Sequence, residues 1–555
     1  MRATSLFTQS LRLLPLIAPA VFAAHGLPDK IYGVNLGSWL LVEPWMLPQE
    51  WKDMGGESCS DCSQCIASEG AFAEAYPKTV DATFAKHWET WFTQADVDKL
   101  KAAGINTVRI PLGYWLVEAL VDRKNGEYFP KGGLKHLRRG LAQLKKAGIV
   151  AILDHHGLPG AQDPGQQFTG RCTPWPQFYT SRNYHRALVW TAVMTSITHQ
   201  DADFSNVVAL EAVNEPVMEA AKTPGYGDFS KNFVRVVRAV EFLLRMGIPS
   251  NGNLKTAALP AQNTLTGNFT ADLPSISDVS EIFTPEVRAA VLESVPILLG
   301  MGYLGLFVNG RKEPLITNFM DVSWQWGSSV SNPADAAIGP QIYDNHLYYV
   351  FGGVADANPE AYMKHICNLD RVENDAAKGN SPLYFGEWGL PTQFEATDEF
   401  LKKWADAQKL AYSKGAGWVF WNFKIEKSTL AGDLAREWSY LEGLERGYFT
   451  QDPSQLHDPH VCDPYLPGAS TSALPSSTAA APSQSAIESA QPSSVPQSSA
   501  APSTSTPAPV LSRRSSPVDS PVLARRSSPV DSPLLAHRSS LVHSRVLARR
   551  SSPVN

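Results

Sequence analysis

Two glutamates stand in short polar clusters at the ends of apolar runs. Asn214-Glu215-Pro216 follows Val207–Val213, and Gly386-Glu387-Trp388-Gly389 closes Leu383–Gly386. A facing pair of carboxyl groups about 5–5.5 Å apart can cleave a glycosidic bond with retention of configuration. One, protonated, donates to the leaving oxygen, and the other, ionised, attacks the anomeric carbon. Their surroundings must push the two pKa values apart. Four other apolar runs end in groups that could serve this chemistry: Arg109, Asp154-His155-His156-Gly157, Asp344-Asn345-His346-Leu347-Tyr348 and Trp421-Asn422. Arg109 beside Glu387 would favour its ionised form. His346 and Tyr348, two residues apart on a strand, share a face and can orient the carboxylates. Asn214 can reach the sugar 2-hydroxyl, a contact that strengthens in the transition state. A lone Asn-Glu-Pro is often a turn with a surface acid, and a lone His at a strand end is usually a satisfied polar group. The signal is their joint appearance, in order, on different strands.

The elements that must position these residues follow a repeated grammar. Leu134, Leu137, Leu141 and Leu144 form one face of a helix. Gly148 supplies its left-handed cap, and an apolar strand begins at Ile149. The same order, helix then Lys and Gly then strand, recurs at 101–110 and 414–421. Candidate strands lie at Tyr32–Leu36, Thr107–Pro111, Val150–Asp154, Val207–Val213, Leu315–Val322, Gln341–Leu347, Leu383–Gly386 and Gly417–Asn422. Eight strands alternating with helices predict an α/β fold, a (β/α)8 TIM barrel with its site at the C-terminal strand ends. An open doubly wound sheet is the alternative, weakened by the lack of a Gly-rich phosphate loop after the first strand.

With these motifs in place, the chain resembles glycoside hydrolase family 5. The matching segments are NTVRIPLGYW with Arg109, LDHHGLPGAQ with His156, LEAVNEP with Asn214 and Glu215, YDNHLYYVFGG with His346 and Tyr348, YFGEWGLP with Glu387, and GWVFWNFK with Trp421. The resemblance implies Glu215 as acid/base, Glu387 as nucleophile and Trp421 as the floor of the −1 subsite. The opening YGVNLGSWLLVEPWM resembles the fungal glucanases of the family. FPKGGLKHL, GLPGAQDPGQQFTGR and NPADAAIGPQIYDNHLYYVFGGVADAN are most similar to fungal endo-β-1,6-glucanases, while exo-β-1,3-glucanases share the catalytic set. The expected partner is therefore a β-glucan polysaccharide of the fungal cell wall. No cofactor and no metal are implied, and the chain is expected to act as a monomer.

The remaining sequence frames this domain, expected over residues 28–463. Residues 1–24, with Arg2, Arg12 and an apolar run broken by Pro15 and Pro19, read as a signal peptide, too short to span a membrane. An exported protein meets an oxidising compartment, so Cys59, Cys62, Cys65, Cys172, Cys367 and Cys462 are expected to form disulfides, with pairing left open. Cys59, Cys62 and Cys65 are spaced like metal ligands but lack a matching fourth. Residues 464–512, rich in Pro, Ser, Thr and Ala, read as a disordered stalk, and 513–555 as basic twelve-residue repeats in a solvated tail. The stretch 248–314 is far longer than an ordinary loop. It carries the sequon Asn268-Phe269-Thr270 and a helical segment from Pro285 to Leu299.

The net charge of −6 argues against nucleic acid as the main partner. Two further readings share the retaining site or its fold: glucan transglycosylation, and a non-catalytic wall-binding barrel, which loss of either Glu would signal. A metal site at Asp154, His155 and His156 fails because neighbouring strand residues point to opposite faces.

Overall fold

The computed structural model describes residues 26–244, 246, 248–250, 253–255, 281–303, 313–325 and 332–468. The expected signal peptide, the sequon at Asn268, the stalk beyond residue 468 and the repeats lie outside the described residues. No described helix is long and apolar enough to cross a membrane.

Eight strands close a parallel barrel: β1 (Ile31–Asn35), β2 (Thr107–Gly113), β3 (Val150–Gly157), β4 (Val207–Glu211), β5 (Ile316–Met320), β6 (Gln341–His346), β7 (Leu383–Glu387) and β8 (Gly417–Phe420). Each pairs with its sequence neighbours, and β8 closes on β1. All eight expected strands are present. β4, β5 and β8 stop two residues short of expectation, at Glu211, Met320 and Phe420, although the Ala212 N–H still donates to the Asn318 carbonyl at 3.0 Å and the Trp421 N–H to the Trp388 carbonyl at 2.8 Å. Gly417 begins β8 where a Cβ would lie 2.0 Å from the Ile31 carbonyl oxygen, so only glycine allows β1 and β8 to close.

Two apolar layers hold the barrel. Ile31, Ile152, Ala209, Ile316, Ile342, Tyr384 and Val419, from seven strands, cluster together with Val208, a second residue of β4. Outside it, the strands pack on helices that bury one stripe each. In α1 (Gln94–Ala102) a Thr93/Asp96 capping box fixes the start. In α2 (Gly133–Ala147) Leu137, Leu141 and Leu144 are buried, and Gly148 takes the left-handed cap that the sequence pattern predicts. The long α3 (Ser181–Gln200) and α4 (Tyr226–Leu243) complete this flank.

The insertion after α4 holds a small hairpin, Ile248–Ser250 with Asn253–Lys255, and α5 (Pro285–Gly300). Val287, Ala290, Val291 and Leu298 of α5 are buried, and the helix packs on α3 and α4. The described helix thus thickens the outer layer. The chain returns to the barrel at Leu315, whose N–H donates to Glu241 Oε1 at 2.6 Å. Glu241 is itself held by Arg238 at 2.6 Å, so α4 carries a buried ion pair that fixes where β5 begins.

The six cysteines pair as Cys59–Cys65, Cys62–Cys172 and Cys367–Cys462. This removes the metal reading of the three clustered cysteines. Cys62–Cys172 ties the β1–β2 connection to the loop after β3, and Cys367–Cys462 pins the end of the domain to α6 (Pro359–Cys367). Replacing both Cys367 and Cys462 by Ser should lower unfolding free energy by about 2–5 kcal/mol in a denaturant titration. An unchanged midpoint would show that this closure does not constrain the unfolded chain.

Candidate active site

The eight residues marked by sequence converge at the C-terminal end of the barrel. Seven of them, His156, Asn214, Glu215, His346, Tyr348, Glu387 and Trp421, line one cavity of about 490 Å³, and Arg109 lies beneath it, fully buried.

Arg109 projects from the middle of β2 and uses its whole guanidinium. Nε donates to Glu211 Oε2 at 2.8 Å, Nη1 to Glu387 Oε1 at 2.9 Å and to Asn35 Oδ1 at 3.1 Å, and Nη2 to Asn214 Oδ1 at 2.7 Å. Asp154 Oδ2 lies 3.2 Å from Nη2 and Asp344 Oδ2 3.4 Å from Nε. Burial opposes the charge, but the surrounding Asp154, Glu211, Glu387 and Asp344 outweigh it and hold the guanidinium well above its ordinary pKa.

Glu387 closes β7 and is met by donors on both oxygens, Arg109 on Oε1 and the Tyr348 hydroxyl on Oε2 at 2.9 Å. Burial raises the Tyr348 pKa well above the ordinary phenol range, so it remains a donor. Burial also pushes Glu387 up to about 8, with His346 and Arg109 pulling the other way. Gly386 precedes it because a Cβ there would fall 2.1 Å from Asp344 Oδ1, which accepts the Gly386 N–H at 2.7 Å.

Glu215 stands four residues beyond the end of β4, on backbone with φ of +37°. A non-glycine residue there costs of order 1–3 kcal/mol and persists only when its surroundings impose it. His346 Nδ1 lies 2.7 Å from Glu215 Oε1 and 3.5 Å from Glu387 Oε2. Burial works against the imidazolium, but Glu387 and Asp344 prevail and raise the His346 pKa well above its ordinary value. Nδ1–H therefore donates to Glu215. One oxygen each of Glu215 and Glu387, with a nitrogen of His346, lie within 4.8 Å of one another. Among the described residues this is the grouping with metal-like spacing. A protonated imidazole has no lone pair for a metal, and the donors on Glu387 are already in place.

The floor is aromatic. Trp421 stacks on His156 with ring centroids 5.7 Å apart and planes 7° from parallel. His156 Nδ1 lies 2.5 Å from Asp154 Oδ2. His155 points the other way and stacks on Trp190 of α3 at 3.9 Å, as strand alternation requires. Trp45, Trp324 and Trp438 line the walls. Four buried polar atoms of residues lining this cavity, Glu43 Oε1, Asn214 Nδ2, His156 Nε2 and His346 Nε2, have no protein hydrogen-bond partner, the last facing Asp344 Oδ2 at 3.6 Å. Glu43, Asn214 and His156 thus offer a carboxyl oxygen, an amide donor and a ring nitrogen to hydroxyl groups.

Sequence reasoning missed Glu43, Glu211 and the part played by Asp344. Glu211 lies inside an apolar strand rather than past its end, which hides it, while Glu43 was detectable as an acid beside Trp45.

The family model for Cellulase (glycosyl hydrolase family 5) matches residues 74–427. The chain belongs to glycoside hydrolase family 5. Glucan endo-1,6-beta-glucosidase B of Emericella nidulans is 32% identical over 443 residues, covering 78% of this chain and 88% of its own. Probable glucan 1,3-beta-glucosidase A of Aspergillus niger is 23% identical over 474 residues, covering 78% and 90%. The crystal structure of AoRut aligns with a TM-score of 0.50 at 18% identity, covering 76% of this chain and 96% of that one, a likeness of fold. This family 5 glycoside hydrolase thus has its polar convergence where barrel enzymes carry their sites.

Buried acids in the site and elsewhere in the barrel set a stability profile. Burial pushes Glu43, Glu69, Asp163 and Glu211 each up to about 8, and Asp154 to about 7. Burial lowers His136 to about 4 and His155 to about 3. From pH 6.5 upward the unfolded histidines shed their last protons within about one unit, and the folded chain's carboxyl protons, which are more numerous, outweigh them. Stability must then fall as pH rises. The melting temperature should drop by roughly 5 °C or more between pH 6.5 and 8, and Glu69→Gln should make that slope shallower. A flat or rising melting temperature over this window would contradict the assignment.

Proposed function

We propose that this protein is a secreted, retaining β-glucanase, with fungal cell-wall β-1,6-glucan as substrate and endo action. The observation that carries the chemistry is the approach of Glu215 and Glu387 to within 4.8 Å, each with different partners. This spacing suits direct attack by a carboxylate rather than the roughly 6.5–9.5 Å that leaves room for water. The linkage rests on the relative that is 32% identical and is named for endo-1,6 action. Export is supported by the leader-like N-terminus and three disulfides, which suit an oxidising compartment.

In this reading Glu387, oriented by Arg109 and Tyr348, attacks the anomeric carbon as the bond to the leaving sugar oxygen breaks. Glu215 gives its proton to that oxygen. Water then attacks the same carbon, Glu215 takes the water's proton, and the Glu387 carboxylate is released. Asn214 Nδ2 meets the 2-hydroxyl, Trp421 carries the apolar face of the −1 sugar, and His346 orients both carboxyl groups. No step requires a cofactor.

The 23% identical relative named for 1,3 action supplies the competing specificity. Incubation with linear β-1,6-glucan and linear β-1,3-glucan separates the two. Mixed oligosaccharides from the β-1,6 polymer alone are expected, and glucose from the β-1,3 polymer alone would overturn the linkage and the endo action together. Glu387→Gly should lose more than about a thousandfold in kcat while keeping the fold. Wild-type turnover in that variant would exclude Glu387 as nucleophile.

A further inference from the structure

The backbone at Glu215 occupies a left-handed conformation at φ +37°, and something must hold it there. The ties flank it on both sides. Before it, the Asn214 carbonyl accepts Gln162 Nε2 at 3.0 Å, and the Asn214 N–H donates to the His155 carbonyl at 3.1 Å. After it, the Pro216 carbonyl accepts Trp324 Nε1 at 2.8 Å, and the Val217 N–H donates to the Tyr179 hydroxyl at 2.7 Å. Tyr179 in turn donates to the Gln162 carbonyl at 2.7 Å. One residue, Gln162, thus grips the chain on both sides of Glu215, by its side chain before and through Tyr179 after.

The grip is also anchored to the barrel. Gln162 Nε2 donates to the His156 carbonyl at the end of β3 at 2.6 Å, and its Oε1 accepts the Leu158 N–H at 3.3 Å. The two carbonyl partners fix the orientation of the amide, since only the NH2 end can serve both. Gln162 is fully buried, and neither it nor Tyr179 lines the cavity. Ala161, just before it, is itself left-handed at φ +64°, which turns the loop to bring Gln162 inward. Glu387 needs no such device, because it belongs to the ladder of β7.

We propose that Gln162 and Tyr179 are positioning residues for the acid/base step, a clip that sets where the Glu215 carboxyl stands against the leaving oxygen. This rests on the reading of Glu215 as acid/base. A clip that only braced a loop would affect all substrates alike. A clip that places the acid matters where the leaving oxygen needs a proton, and hardly at all where it does not.

Tyr179→Phe removes one hydroxyl and keeps the ring. Its kcat/KM is measured on an unactivated β-glucan oligosaccharide and on a dinitrophenyl β-glycoside that the wild type cleaves. A loss of about tenfold or more on the oligosaccharide, carried by kcat, is expected, with the activated glycoside within about threefold of wild type. Gln162→Met, which removes the amide from the other side, should give the same split and serves if Tyr179→Phe fails to fold. Equal losses on both substrates, or none on either, would overturn the clip. Glu215→Ala is the control and should show the same split more steeply. Absence of a split in Glu215→Ala would instead remove the acid/base reading, and the clip's catalytic role with it.

Discussion

The buried Arg109 guanidinium is the constraint on which the rest of the site depends. A cation removed from water must find an acceptor for each N–H, and removing one partner of such a pair costs roughly 3–5 kcal/mol. Arg109 finds its acceptors on five other strands or their ends: Asn35 of β1, Asp154 of β3, Glu211 and Asn214 around the end of β4, Asp344 of β6 and Glu387 of β7. Closure of the barrel and assembly of the site are therefore one event. The parallel register brings Asn35 beside Arg109 and Asp154 beside Glu211, so the cluster forms when the strands pair correctly.

Charge balance beneath the cavity then differentiates the carboxyl groups. Two cations, Arg109 and His346, face Asp154, Glu211, Asp344, Glu215 and Glu387. Burial raises Asp154, Glu211 and Glu387 alike, but His346 and Arg109 pull Glu387 back toward its ionised form, and Arg109 and the Tyr348 hydroxyl donate to its two oxygens. Glu387 is fixed in a strand and met on both oxygens. Glu215 stands on strained backbone outside the ladder, with a side chain 17% exposed against 6% for Glu387. Two identical residue types thus acquire different surroundings from the positions of two strand ends, and differing surroundings are what paired acid chemistry requires.

Much of this was legible in the sequence for physical reasons. Strands buried on both faces read as apolar runs, and helix ends carry their Lys and Gly, so all eight strands and the cap at Gly148 could be placed. Seven of the eight site residues were legible because they stand at or just past the end of an apolar run, and Arg109 because it is a cation inside one. Glu211 was not, since an acid within an apolar strand has no periodic pattern to mark it. Its presence follows only from the arithmetic of a guanidinium with five N–H groups, which one glutamate cannot satisfy. The ends of β4 and β8 and the pairing of six cysteines depend on contacts between segments far apart in the chain. The packing of α5 on α3 and α4 was likewise invisible, although the helix itself was expected.

The central claim is that two carboxyl groups at this spacing act by double displacement. The most direct test is the anomeric configuration of the first product. Proton NMR during the opening minutes of β-1,6-glucan oligosaccharide hydrolysis, before mutarotation, reads it without any variant. A β-configured reducing end formed first, relaxing later to the α/β mixture, is the expected result. An α anomer formed first would mean single displacement by water, and Glu387 could not be the nucleophile.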